Sequence, residues 1–382
     1  MGWKRTRMPT TELPPSPSMM RWLVSGAFIA LLSVLLFILH ASGTVKELNA
    51  FNIWWLSLTP SGLWLLLLCL RGWLWEREVD KYAFLKKEAD RGQKQWEAWA
   101  ERYLVILANA VLLPDGVTAS AVLDSSVDAL PSRRALTRRL KEIGNPVNSF
   151  LASLQSSLQQ LPRDLPLRVT LITDLPGEEL TEAFSTAWCS LFPQRDVPDD
   201  FNIVSAMSMS QLEQRLQQPL LTVDLVLVLQ LCGGEAYSDE LAALLMTSDD
   251  VAQKYRLPHS ARLLRPMPLD RDKFDEDFTL FLETQTAACR TTSVLGDSAG
   301  WEAIAAPLIT IGNAHGARWE PAERMHLEKW CGIPGPAAPW LLTALAADLV
   351  TLQKTSLLML FSSGEERFIS TVTSGSENEH IR

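Results

Sequence analysis

The sequence predicts an α/β protein carried on two N-terminal membrane-spanning helices. Three observations lead there. Two long uncharged apolar runs, Trp22–Leu39 and Phe51–Leu70, lie near the start of the chain. Strand-like and helix-like segments alternate three times between residues 167 and 246. The charge is unevenly divided: residues 1–95 carry net +5 and the rest net −14, within an overall −9. A basic front on an acidic body fits a membrane anchor with a water-facing body. The overall acidity excludes a generic nucleic-acid binder, which would present a basic face.

The first run holds 18 residues without a charge, and 12 of them are Leu, Ile, Val or Phe. As a helix it is about 27 Å long, close to a hydrocarbon core of about 30 Å. Its apolar side chains favour insertion by roughly 4–7 kcal/mol. A cleaved signal peptide is the rival reading, with Lys4, Arg5, Arg7 and Arg21 as its basic region and Ala41-Ser42-Gly43 as its small residues. An ordinary signal core is shorter, about 7–15 residues, and here a second apolar run follows. That second run carries Pro60 and Gly62 mid-span, which predicts a kink. Trp22, Trp54, Trp55, Trp73 and Trp75 are the expected interface anchors. Gly26 and Ala30 form a small-xxx-small pair suited to helix contact.

Loop charge sets the orientation. Lys4, Arg5, Arg7 and Arg21 precede the first span, and Arg71, Arg77, Lys81, Lys86, Lys87, Arg91 and Lys94 follow the second. The connector carries only Lys46 and Glu47. The positive-inside rule then puts both termini in the cytoplasm of a bacterial inner membrane. The expected plan is an N-tail 1–21, spans 22–39 and 51–70 joined by a periplasmic loop 40–50, a basic juxtamembrane helix 71–102, an α/β body 103–373 and a polar tail 374–382. The five cysteines, Cys69, Cys189, Cys232, Cys289 and Cys331, show neither disulfide nor zinc spacing. They read as reduced thiols.

Within the body, Trp96, Trp99 and Tyr103 share one helical face, which either receives a partner or packs on the body itself. Tyr103–Leu113 reads as a buried strand or the end of that helix. Asp115–Asn145 is mixed and holds a basic patch, Arg133, Arg134, Arg138, Arg139 and Lys141. Val147–Leu161 carries a helical stripe. Strands are expected at Leu167–Thr173, Phe201–Ala206 and Thr222–Leu231, the last apolar enough for burial on both faces. Helices are expected at Glu178–Leu191, Ser208–Gln217 and Ser238–Met246, with Ser238 as N-cap. The alternation implies a largely parallel sheet. Further along, Ala261–Leu264 and Pro307–Ile311 read as strands, and Asp270–Thr284 and Pro339–Gln353 as helices. Leu357–Phe361 with Phe368–Thr373 reads as a hairpin. No internal repeat is visible.

No phosphate loop, dinucleotide fingerprint, GxSxG elbow or HExxH motif occurs, which excludes the usual nucleotide-dependent and zinc-protease chemistries. The candidate site is Cys232-Gly233-Gly234-Glu235, just past the end of the most buried strand, where α/β sheets place ligands. Paired glycines let a backbone approach closely and present N–H groups to an oxyanion. Cys232 would be the nucleophile, with His259, His315 or His326 as base. The plainer reading is a Gly-Gly turn beside a small cysteine. Cys189 is a second thiol candidate. A metal site of His315, His326 and Cys331 has no recognisable ligand spacing, and no metal or cofactor is expected.

The Cys189 segment, the strand Val223-Asp224-Leu225-Val226-Leu227 and the turn Gly233-Gly234-Glu235-Ala236 are together similar to the core of ketoacyl-synthase (thiolase-like) domains. That resemblance implies a cysteine on a buried helix and two histidines, or a histidine and an asparagine, in later Gly-rich loops. Cys189 has no matching loop, and His315 and His326 lack Gly-rich settings, so it implies a degenerate site. A second resemblance is to accessory inner-membrane proteins of bacterial type VI secretion clusters. It is carried by Gln95-Trp96-Glu97-Ala98-Trp99-Ala100, Leu225–Leu231, Leu264-Arg265-Pro266 and Gly335-Pro336-Ala337-Ala338-Pro339-Trp340. It implies a non-catalytic scaffold whose partners are the lipid bilayer and other proteins of an envelope complex, with no nucleic acid. The alternatives are a membrane-bound thiol-dependent acyl-transfer enzyme and a membrane-anchored small-ligand sensor.

Overall fold

The computed structural model describes residues 3–5, 11–44, 51–124, 136–141, 144–217, 220–319 and 324–375. It forms two compact units, residues 5–95 and residues 1–4 with 96–382. Lys46, Glu47, Arg7, Arg133 and Arg134, and all but the first two residues of the tail 374–382, lie outside the described residues.

The first unit is built from α1 (Met19–Ala41) and most of α2 (Ile53–Ala100), both long and apolar enough to cross a membrane. The change from apolar to charged composition at Leu70-Arg71 falls inside α2, and the helix continues through Pro60. Gly26 seats the Trp64 ring so closely that a Cβ there would lie 2.7 Å from it. Ser33 Oγ meets Ser61 Oγ at 2.8 Å, and Trp64 Nε1 donates to Ser25 Oγ at 3.1 Å. Small residues and polar bonds are what join helices where lipid removes the hydrophobic drive.

In the second unit β1 (Tyr103–Leu112) follows α2 directly. The chain continues through α3 (Ala119–Leu123), α4 (Pro146–Ser153), α5 (Gln155–Gln160), β2 (Leu167–Thr173), α6 (Gly177–Leu191), β3 (Asp200–Val204), α7 (Ser210–Gln217), β4 (Val223–Gln230) and β5 (Glu240–Ser248). After α8 (Asp249–Tyr255) come β6 (Ala261–Leu264), β7 (Met267–Leu269), α9 (Phe274–Thr284), β8 (Ser293–Gly296), α10 (Ala305–Ala314), β9 (Arg324–His326) and α11 (Glu328–Cys331). The last elements are α12 (Ala338–Gln353), β10 (Leu357–Ser363) and β11 (Glu366–Ser374).

The strand order, β3-β2-β4-β5-β1-β6-β11-β10-β8-β9, exposes a duplication that the sequence hides. β2 lies parallel between β3 and β4, β5 returns antiparallel beside β4, and β1 follows antiparallel to β5. The second half repeats the plan: β8 lies parallel between β9 and β10, β11 returns beside β10, and β6 and β7 pair with β11. The two halves join where β1 pairs antiparallel with β6. The α/β class holds. Parallel pairing is confined to these two three-strand groups, so the sheet is mixed rather than largely parallel.

The period-2 alternation of the strands explains the layering. Leu104, Ile106, Val226 and Val228 of the first half and Leu357, Met359 and Phe361 of the second pack around α7 and α12, enclosing those helices between the halves. The opposite faces, Val105, Leu225 and Leu227, pack on α4 and α6. Leu358 and Leu360 pack with Phe278 and Phe281 of α9 and Leu308 of α10. The result is helix, sheet, helix, sheet, helix.

Three local readings change. Residues 240–248, expected as part of a helix, form β5, buried at every position. Their Ala, Leu and Met composition favours a helix, but a short return beside β4 with both faces covered overrides propensity. Ser238 is no N-cap: its Oγ accepts the Arg138 N–H at 3.0 Å. Pro307–Ile311 lies in α10, where Pro307 occupies the tolerant first turn.

The Trp96/Trp99 stripe packs on its own body. Trp99 meets Trp3 edge-on at 5.0 Å, and Trp3 also meets Phe281 at 5.9 Å. The buried Arg265 guanidinium lies 4.1 Å over the Trp99 ring and its Nε donates to the Trp99 carbonyl.

Candidate functional site

The duplication puts an aspartate at the same place in each half, immediately after the second strand. Asp174 follows β2. Its carboxylate accepts the N–H of Leu231 at 2.9 Å, the N–H of Cys232 at 2.7 Å and the Tyr237 hydroxyl at 3.1 Å. Asp297 follows β8 and accepts the Ser362 N–H at 2.6 Å and Trp301 Nε1 at 2.7 Å. Burial pushes the Asp297 carboxyl up, and these donors pull it back. Each carboxylate satisfies backbone N–H groups that the end of a strand leaves unpaired.

Around Asp174 the chain forms an exposed crest. Cys232 is solvent-exposed with a free thiol. The Tyr237 ring covers Gly233, where a Cβ would lie 2.3 Å from it, so only glycine fits. Gly234 takes φ +54°. Among the described residues the N–H groups of Gly233 and Gly234 have no hydrogen-bond partner. The segment 138–140 buttresses the turn. Arg139 donates to the Gly234 carbonyl and, at 2.5 Å, to buried Asp239, which also accepts the Leu140 N–H. Tyr237 is held protonated above its usual range by burial, then by its bond to Asp174, with the nearby Asp174 and Cys232 charges adding to the shift.

Below the crest lies the junction of the two halves. The side chain of Gln230, last in β4, accepts the Ala337 N–H before α12 at 3.0 Å. The matching residue Ser363, last in β10, accepts the Met209 N–H before α7 at 3.4 Å. Trp340 Nε1 bonds the Met207 carbonyl at 2.9 Å. Glu240 is fully buried here, with Oε1 accepting the Gly335 N–H at 2.5 Å and Oε2 lacking a partner among the described residues. Burial raises its pKa to about 8, and the charges of Asp297 and Asp174 push in the same direction. Cys331 is buried beside it and its thiol is pushed up by burial and by the Glu240 charge, so it is an inert thiol.

The structure separates the other residues singled out in the sequence. Cys189 is exposed on the outer helix α6. His259 faces a separate groove of about 340 Å3 with Leu107 and Ser260, its ring accepting from Arg262 Nε at 3.1 Å. His315 ends α10 with Nδ1 2.9 Å from the Ile311 carbonyl. His326, at the end of β9, lies 3.6 Å from a Glu302 carboxylate oxygen. Among the described residues, neither Cys232 nor Cys189 hydrogen-bonds a histidine, and His315, His326 and Cys331 form no metal-ligand group. Glu235 is exposed and makes no ion pair among the described residues. The interface candidates Trp54, Trp55 and Trp73 are exposed, and Trp22 and Trp75 are half-buried. Asp174, Tyr237 and Trp3 are the residues that sequence reasoning passed over. The signals were a lone Asp closing a strand and a Tyr four residues past the first glycine.

The central helices α7 and α12 carry neither cysteine nor histidine. Cys189, the cysteine on which the ketoacyl-synthase resemblance rested, lies exposed on the outer helix α6 and not on either central helix.

No family model matches the chain, and no curated protein is similar to it in sequence. In fold the chain is similar to ketosynthases. A type II polyketide ketosynthase complex described as AntDE:AntF superposes with TM-score 0.49 and 8% identity, covering 72% of this chain and 99% of that one. The 3-oxoacyl-[acyl-carrier-protein] synthase III of Aquifex aeolicus gives 0.45 and 12%, covering 70% and 99%. A cerulenin-bound OleA variant of Xanthomonas campestris gives 0.47 and 12%, covering 73% and 98%. The expected non-catalytic scaffold of a type VI-like secretion complex is corrected: the comparisons offer nothing for it, and the similar folds they found are those of ketosynthase-like enzymes.

Proposed function

We propose that the protein is a membrane-attached acyl-transfer enzyme that exchanges thioesters at Cys232. The observation that carries this reading is the crest itself: an exposed thiol, two glycine N–H groups without a partner among the described residues, and a Tyr237 hydroxyl anchored on Asp174.

In the proposed reaction Cys232 Sγ attacks the carbonyl carbon of a thioester. The developing oxyanion meets the N–H groups of Gly233 and Gly234, donors fixed in place before the reaction. The carbon–sulfur bond to the departing thiol breaks as a new one to Cys232 forms. The proton that leaves the Cys232 thiol reaches the departing sulfur through the Tyr237 hydroxyl, which gives one proton and takes the other. Asp174 does not react. It holds Tyr237 and the amide of Cys232. No redox partner is required.

The anchor is the pair of apolar helices, with both termini on the cytoplasmic side and the bilayer as standing partner. Two spans return the chain to its starting side, and the packing of Trp3 against Trp99 and Phe281 favours that arrangement. The test is labelling of the full-length protein in detergent with a chloroacetyl analogue of an acyl thioester. Labelling at Cys232 that is lost in Cys232→Ala, kept in Cys189→Ala and slowed in Tyr237→Phe supports the reading. Equal labelling of wild type and Cys232→Ala refutes it.

A further inference from the structure

The first half carries a second feature that this chemistry does not use. Where α5 and α6 end, a cavity of about 400 Å3 opens, lined by Leu161, Leu191 and Phe192 together with Arg163, Gln194 and Arg195. α6 starts at the crest, just after β2, and runs away from it, so the cavity sits at the opposite end of this half.

Among the described residues, both guanidinium groups are held without a counter-ion. Arg195 Nη1 donates to the Leu158 carbonyl at 2.6 Å and Nη2 to the Pro162 carbonyl at 2.9 Å. Trp188 Nε1 bonds the carbonyls of Arg195 and Asp196, which fixes the backbone that presents Arg195. Arg163 donates to Gln194 Oε1 at 3.3 Å. Neither arginine makes an ion pair among the described residues. Arg163 is close enough that its charge, after burial, lowers the Arg195 pKa. Two like charges lining one small cavity are mutually unfavourable. An anion between them relieves that repulsion, and guanidinium forks match the oxygens of a phosphate.

We propose that this cavity binds a phosphate ester carrying an apolar chain, its phosphate between Arg163 and Arg195 and its chain along Leu161, Leu191 and Phe192. Such a group occurs on anionic phospholipids and on soluble acyl carriers of the coenzyme A type. The proposal is independent of the chemistry at Cys232.

The experiment is calorimetric titration of the full-length protein in phosphatidylcholine nanodiscs with octyl phosphate. Octanol serves as the neutral control. Saturable binding of octyl phosphate, absent for octanol, is expected. It should weaken at least tenfold in Arg163→Glu, a change at an exposed position, and should be unchanged in Cys232→Ala. Arg163→Lys, which keeps the charge, should lose less than Arg163→Glu. Competition by dihexanoylphosphatidylglycerol assigns the natural ligand to lipid, and competition by octanoyl coenzyme A assigns it to a soluble carrier. Absence of octyl phosphate binding, equal binding of octanol, or an affinity untouched by Arg163→Glu overturns the proposal.

Discussion

The two halves of the body follow one plan and end differently. After β4 the chain takes residues 231–239 to return as β5, whereas after β10 it turns on Gly364 and Glu365 alone. In the first half that longer return lifts Cys232, Gly233, Gly234 and Tyr237 into an exposed crest over Asp174. In the second half the equivalent Asp297 is sealed under Trp301 and the start of the tight turn. One scaffold thus yields an open end that offers a thiol and a closed end that offers nothing to solvent. The difference lies in a loop, where chemistry is usually carried, and not in the strands that hold it.

The largest expected effect separates the two aspartates. Asp174→Asn removes part of the hold on the Cys232 amide and on Tyr237, and labelling of Cys232 should fall at least tenfold. Asp297→Asn should leave labelling unchanged and lower stability by about 2 kcal/mol, the scale of a lost charged hydrogen bond in a buried site. Parallel labelling time courses and urea unfolding followed by Trp fluorescence read both quantities. Equal loss of labelling in the two variants would break the contrast between open and closed ends.

Next comes the junction between the halves. Glu240 in the folded protein holds its proton up to about pH 8, whereas an unfolded Glu releases it near its ordinary value, about 4.3. The folded state therefore binds more protons than the unfolded state between those two values. Its favourable contribution is complete below the unfolded value, is lost as pH rises through the folded one, and is flat beyond. The loss is on the order of 5 kcal/mol at most. Glu240→Gln, a neutral isostere, should flatten stability between pH 5 and 8 and be the more stable protein at pH 8. Urea midpoints across that range measure it, and an unchanged slope would remove Glu240 as the cause.

These contrasts bear on what the chain disclosed before its fold was known. Segments with a clean period read correctly: Leu167–Thr173 by alternation, Thr222–Leu231 by continuous apolar character, and the Leu357–Thr373 hairpin by two β-rich runs around a glycine. β5 did not, because Ala242, Ala243, Leu244 and Leu245 prefer helix locally and only the return beside β4 makes them a strand. The duplication stayed hidden because it is conserved in topology and in two aspartates, not in a repeated string of residues. At the candidate site Cys232, Gly233 and Gly234 were legible from chemistry and position. Asp174 lies 58 residues from the thiol whose amide it holds, a partnership that no local pattern encodes. Arg163 and Arg195, meeting at the ends of two helices, were equally out of reach.

The smallest effect probes the contact across the approximate two-fold relation of the halves. Trp340 in the first turn of α12 is fully buried and donates to the Met207 carbonyl ahead of α7. Trp340→Phe keeps most of the apolar volume and deletes the donor, leaving a buried carbonyl unpaired. That should cost about 1–2 kcal/mol. If the two central helices hold the halves in register, the unfolding midpoint falls while the slope with urea is unchanged, because the body still unfolds as one cooperative unit. A lower slope, or two separate transitions, would instead mean that the halves can open independently, and the Met207–Trp340 bond would then be the latch between them.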